Sequence, residues 1–248
     1  TADPFRKALL LDMLASRGDA SACEAMAVLL ADADNGVAAA ASCALITLDP
    51  AAFAAQLPAL LKDLPSARFA QVRSHVRLLK TEQLKQPLIR SFDEFNDTGK
   101  RLALDVLGER RVAAASAIAL TSVDSKDPET VISAYRLLRE VATHDHAATL
   151  VAKLLATTGR VTPEAQNAVV AAARRDVRGV YAETLARAVD TAPDAQKPIA
   201  LETAARVGGE ALLKSVETVS ASSDLFLATA AVRALADWTD TASVPALL

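Results

Sequence analysis

Apolar positions return at a regular interval along the whole chain, and that interval constrains the fold more than any other feature. The apolar residue three before Trp238 is Leu235, and comparable anchors stand at Leu14, Leu48, Leu79, Leu107, Leu138, Ala172 and Ala205. Their spacings run from 28 to 34 residues, the length of a two-helix repeat. Within these intervals the pattern is helical: Cys23, Met26, Ala27 and Leu30 fall at i, i+3, i+4 and i+7. No alternating run bounded by hairpin signals occurs, so no strand is expected.

Turn and cap residues divide the chain at the same interval. Asp3-Pro4, Asp49-Pro50, Asp127-Pro128 and Thr162-Pro163 each supply a capping residue followed by a proline fitted to the first helical position. Arg17-Gly18-Asp19, Asn35-Gly36, Gly108-Glu109, Thr143-His144-Asp145-His146, Arg175-Asp176 and Gly208-Gly209 read as turns, and further helices start near Asp97, Asp194 and Asp224. Eight helix pairs fit. In the first helix, Phe5, Leu9, Leu10 and Leu14 are the expected buried stripe. The stretches Leu57-Pro58-Ala59-Leu60-Leu61, Pro87-Leu88-Ile89 and Val244-Pro245-Ala246-Leu247-Leu248 share one pattern. A proline inside a helix costs about 3 kcal/mol, so each is expected in the first turn of a second helix, or kinking it there.

Composition agrees with close helix packing. Apolar residues make up 52 % of the 248, yet aromatics only 4 %, and much of the apolar content is alanine, the best helix former and a residue that buries little area. The formal charge of −3 argues against sequence-independent nucleic-acid binding, which calls for a basic excess. No uncharged apolar run is long enough to span a membrane. Cys23 and Cys43 are too few for a disulfide framework and lack metal or redox spacing. They read first as small buried hydrophobes, with a disulfide between antiparallel neighbours as the alternative.

The anchor, the Asp after it, the turn and the x-Pro-x-Leu-Leu start resemble HEAT repeats. The closest stretch is Val232-Arg233-Ala234-Leu235-Ala236-Asp237-Trp238 with Val244-Pro245-Ala246-Leu247-Leu248, and Pro58 followed by Lys62 fits the same pattern. The alanine-rich style is similar to bacterial HEAT-like proteins. The resemblance implies an all-α fold: a right-handed α-α superhelix, or α-solenoid, of about eight two-helix repeats with no strands. One array would span residues 1–248 and continue past 248. It also implies a scaffold that binds protein partners along an extended surface.

Residues that could carry chemistry are sparse. His144-x-His146 could offer two metal ligands, but a site needs three or four, and a solvated turn is the simpler reading. His75 reads as a surface or boundary residue. There is no Gly-x-Ser-x-Gly elbow and no phosphate-cradling glycine loop, and Asp93-Glu94 belongs to an exposed face. No catalytic residue, metal ligand, cofactor or small-molecule substrate is therefore expected.

The basic clusters are the most distinctive polar feature. Arg110, Arg111, Arg136, Arg139, Arg174, Arg175 and Arg178 fall near the ends of first helices or in the turns after them. Stacked in register, they would form a basic ridge for an acidic partner, with binding weakened by salt. The competing reading is that arginine simply favours the negative end of a helix. Trp238 is either an aromatic anchor for a partner or a plug over the helix junction.

The expected function is a non-enzymatic protein-interaction scaffold. The alternatives, by family analogy, are a HEAT-like enzyme of the DNA-base glycosylase or chromophore-lyase type, and a purely structural spacer. A deep pocket uniting Arg, carboxylate and aromatic would favour the enzyme.

Overall fold

The computed structural model describes residues 3–239 and Ser243. The Val244–Leu248 stretch lies outside the described residues. Every regular element among them is helical. The chain divides into two compact units, residues 1–118 and 119–248.

The N-terminal unit holds α1 (Pro4–Arg17), α2 (Cys23–Leu29), α3 (Asn35–Leu48), α4 (Pro50–Lys62), α5 (Phe69–Val76), α6 (Thr81–Arg90) and α7 (Asp97–Glu109). Helix α8 (Ser116–Ser122) runs across the division. Inside this unit α1, α3, α5 and α7 pack successively on one another, α2, α4 and α6 do the same, and α2 and α4 both lie on α3. The crowding around α3 follows from its sequence. Val37, Ala38, Ala41, Ser42, Ala44 and Leu45 are all buried, and four of the six are alanine or serine, which let neighbouring helices approach closely.

Caps set the helix starts. Asp34 accepts from the backbone N–H groups of Gly36 and Val37 at 2.8 and 3.0 Å, and Asp49 accepts from Ala51 and Ala52 at 3.0 Å. Each bond satisfies a donor that the first helical turn leaves without a partner. Asn96 does more. Its Oδ1 accepts from Gly99 at 2.8 Å, while its N–H donates to Lys62 O and its Nδ2 to Leu64 O, both at 3.0 Å. The start of α7 is thereby laid against the end of α4.

Two local expectations are corrected here. Pro58 and Pro87 lie inside α4 and α6, because Asp49-Pro50 and Thr81 begin those helices well upstream. Each proline forgoes one i→i−4 bond, and the burial of Leu57, Leu61, Leu84 and Leu88 at no more than 1 % exposure offsets that loss at about 1.5–3 kcal/mol per side chain. In α1 the packed residue is Leu11, whereas Phe5, Leu9 and Leu10 are exposed. That helix carries apolar residues on both faces, so periodicity alone does not choose between them.

The C-terminal unit holds α9 (Pro128–Val141), α10 (Ala147–Leu155), α11 (Thr162–Arg175), α12 (Val180–Thr191), α13 (Lys197–Val207), α14 (Glu210–Ser220) and α15 (Leu225–Ala236). Helices α9, α11, α13 and α15 form one row, each packed on the next, and α10, α12 and α14 form a second row against it. The anchors Leu138, Ala172, Ala205 and Leu235 are all buried. Asp127 caps α9 through Thr130 N–H at 2.9 Å, and Asp224 caps α15 through Phe226 N–H at 2.8 Å.

Candidate functional site

Helix ends place the arginines of the C-terminal unit side by side. Arg139 sits in the last turn of α9, Arg174 and Arg175 in the last turn of α11, and Arg206 in the last turn of α13. The three helices pack in that order, so their final turns make one edge. Along it runs a cleft of about 510 Å³ lined by those four arginines together with Asn167, Val170 and Ala171. Among the described residues no carboxylate lines it. Four guanidinium charges therefore share one cleft in a chain whose formal charge is −3.

The hydrogen bonds at each arginine show how much donor capacity remains. Arg206 Nη2 donates to Asn167 Oδ1 at 2.6 Å, which fixes the guanidinium at the cleft wall. Arg175 Nη2 reaches Ala142 O at 3.3 Å, a carbonyl at the C-cap of α9. Arg139 Nε pairs with Glu140 at 3.1 Å. That contact is solvent-exposed, so it contributes about 0–1 kcal/mol and is readily exchanged. Arg174 has no hydrogen bond or ion pair among the described residues. A guanidinium carries five N–H donors, so every member retains some for a ligand.

The remaining ridge residues divide into two groups. Arg136 donates to Glu164 at 2.9 and 3.1 Å, and Arg178 Nη1 lies 2.9 Å from His144 Nε2, in a neighbouring cleft of about 470 Å³ that Arg175 also lines. Arg110 and Arg111 belong to the N-terminal unit. Arg110 Nη2 donates to the carbonyls of Arg77 and Leu79 at 2.7 and 3.2 Å, and Arg111 adopts a positive φ of 52° in the turn. In Arg110 and Arg175 the attraction of arginine for helix-end carbonyls is therefore realised directly. Only Arg139, Arg174 and Arg175 of the expected ridge share the four-arginine cleft.

Sequence reading missed Arg206, and with it Arg233. The signal was present, because Arg139 and Arg206 each follow an anchor, Leu138 and Ala205, by one residue. Arg206 also faces a second cleft of about 710 Å³ between α13 and α15, lined by Glu202, Phe226, Arg233 and Asp237 among others. That cleft does unite Arg, carboxylate and aromatic, but Glu202, Asp237 and Phe226 are all exposed to water.

Trp238 is only 8 % exposed and follows the C-cap of α15; of its two readings, the plug over the helix junction is the one this burial fits. His75 is also buried rather than superficial. Its Nε2 lies 3.3 Å from Cys43 Sγ and its Nδ1 has no partner. Burial, and then the nearby Arg68 guanidinium, hold its pKa below the ordinary 6.5. Cys23 and Cys43 are both free thiols, and neither is buried as expected: Cys23 is half-buried and Cys43 exposed. In the His144-x-His146 turn, His146 Nδ1 accepts from Thr143 N–H at 2.9 Å, and among the described residues no three His, Cys, Asp or Glu groups converge as a metal site would require. Also among the described residues, no helix is long and apolar enough to cross a membrane.

No protein-family model matches this chain, and no curated protein matches it.

Proposed function

We propose that the chain is a HEAT-like helical-repeat protein, an α-solenoid of about eight two-helix repeats, and that it is a protein-interaction scaffold rather than an enzyme. The repeat reading is supported by how far side-chain hydrogen bonds reach. Arg68 to Leu30 spans 38 residues, Asn96 to Leu64 spans 32, Arg110 to Arg77 spans 33, Arg160 to Glu129 spans 31 and Arg175 to Ala142 spans 33. Each is close to one anchor interval. A chain of stacked pairs in which each pair contacts chiefly its neighbours has this property.

The interaction reading is carried by the cleft of Arg139, Arg174, Arg175 and Arg206. Clustered guanidiniums with no lining carboxylate repel one another, and an acidic partner relieves that repulsion while gaining charge-assisted hydrogen bonds. The partner class is thus an acidic protein segment. Titration of the chain with a fluorescent oligoglutamate peptide tests this. Affinity is expected to fall as salt rises from about 50 to about 200 mM, because the Debye length shrinks, and an oligolysine peptide is expected not to bind. Equal binding of both peptides would contradict the reading.

A second reading, an enzyme on the same scaffold, is favoured by the cleft between α13 and α15 with Arg206, Arg233, Glu202, Asp237 and Phe226. It is the weaker reading. A general acid or base needs a sheltered carboxyl to be tuned toward neutral pH, and both carboxylates here are open to water.

A further inference from the structure

The arginine cleft has a spacing as well as a sign. Its charges stand on three successive helices, one rung each on α9 and α13 and a double rung on α11. Packed helices lie about 8–10 Å apart. A peptide in the extended polyproline II conformation rises about 3.1 Å per residue with three residues per turn, so every third side chain returns to the same face about 9 Å further on. Such a segment laid across the three helix ends would present one face to the arginines and meet a new rung every third residue.

We propose that this cleft reads an extended acidic segment of a partner protein with carboxylates at positions i, i+3 and i+6, one to each of Arg139, the Arg174–Arg175 pair and Arg206; this rests on the interaction reading above. Two features of the cleft fit that occupant. Val170 and Ala171 give it an apolar floor, on which the residues between the carboxylates can rest. Asn167 Oδ1 is taken by Arg206, which leaves the Asn167 Nδ2 donors for a carbonyl of the segment. A ligand helix with acids at i and i+7 matches the rung spacing, at about 1.5 Å per residue, but its backbone carbonyls are bonded within the helix and offer none to Asn167.

Arg174 is the best probe of the mechanism. It is exposed and has no partner among the described residues, so replacing it leaves the protein's own bonds intact. Arg206 is held by Asn167 and reports the far rung.

The test uses the full chain and three peptides of equal length and charge with blocked ends. In one, three glutamates stand every third residue in a serine–threonine background. In the second the three are contiguous. The third is alanine-rich and helical, with its glutamates on one face seven residues apart. The every-third peptide is expected to bind about ten-fold tighter than the contiguous one, the difference made by one additional well-placed charged hydrogen bond. Arg174→Ala and Arg206→Ala are each expected to remove most of that preference while the helical circular dichroism is unchanged. Equal affinity for the first two peptides would overturn the spacing and leave the acidic-partner reading standing. Preference for the helical peptide would overturn the extended occupant. Failure of all three to bind at low salt would overturn both the inference and the reading beneath it.

Discussion

Gly99, in the first turn of α7, lies so close to Leu61, near the end of α4, that no side chain fits between them. A methyl group on Gly99 would press into the Leu61 carbonyl oxygen and stand 3.0 Å from its carbonyl carbon. The backbone of α4 cannot retreat, because Asn96 ties α7 to the carbonyls of Lys62 and Leu64 just beyond.

Gly99→Ala is therefore expected to destabilise the protein. Alanine would ordinarily gain about 1 kcal/mol over glycine inside a helix. Overpacking costs about 1–3 kcal/mol, and backbone, the least yielding neighbour, puts the cost at the upper end, so the net effect is a loss of about 2 kcal/mol. A lower urea midpoint at unchanged slope would bear this out; a raised midpoint would mean that α4 and α7 separate freely.

Leu138 is fully buried on α9 and Leu79 nearly so after α5. With so many alanines in the core, few large side chains are available to fill space left by a lost one. Truncating either to alanine is expected to cost about 2–5 kcal/mol. Leu78, beside Leu79 but 67 % exposed, is the control, and its substitution is expected to change stability by no more than about 0.5 kcal/mol. Chemical unfolding of the three variants makes the comparison.

His75 gives stability a pH dependence of known sign. Its folded-state pKa lies below 6.5, first because it is buried and second because Arg68 is nearby. The unfolded chain thus binds the proton more readily than the native one. This contribution is complete above about pH 6.5 and is lost as pH falls from there through the lowered folded-state value. Unfolding free energy measured between about pH 7.5 and 5.5 is expected to decline on acidification, and less steeply in His75→Gln. An identical slope in the variant would show that other groups carry the dependence.

Much of the helix order was legible in the sequence because caps and turns are local. Asp49, Asp127 and Asp224 cap helices by bonds to residues two or three positions on, and such bonds depend on nothing distant. The anchors were legible where one face of a helix is apolar, as around Leu138. They were not in α1, whose two apolar faces left Phe5 and Leu9 misplaced. Pro58 misled because the cost of a mid-helix proline is visible locally, whereas the burial of Leu57 and Leu61 that offsets it comes from helices distant in the chain. The burial of His75 depends on α3, whose Cys43 lies 32 residues earlier, and could not be read locally. The arginine cleft was half legible. Arg139, Arg174 and Arg175 stand out as clusters, whereas Arg206 is a lone arginine whose importance comes from the register of α13 against α11.

The acidic-partner claim turns on charge at that edge, and charge reversal tests it most directly. Binding of the every-third-glutamate peptide would be measured by fluorescence anisotropy at about 50 mM salt for the native chain, for Arg174→Glu with Arg206→Glu, and for Arg6→Glu, an exposed change on α1 in the other unit. The double variant is expected to lose binding by at least about a hundred-fold, since two attractive contacts become repulsive, while Arg6→Glu is expected to stay within about two-fold of native. Equal binding by all three proteins would contradict the acidic-partner claim.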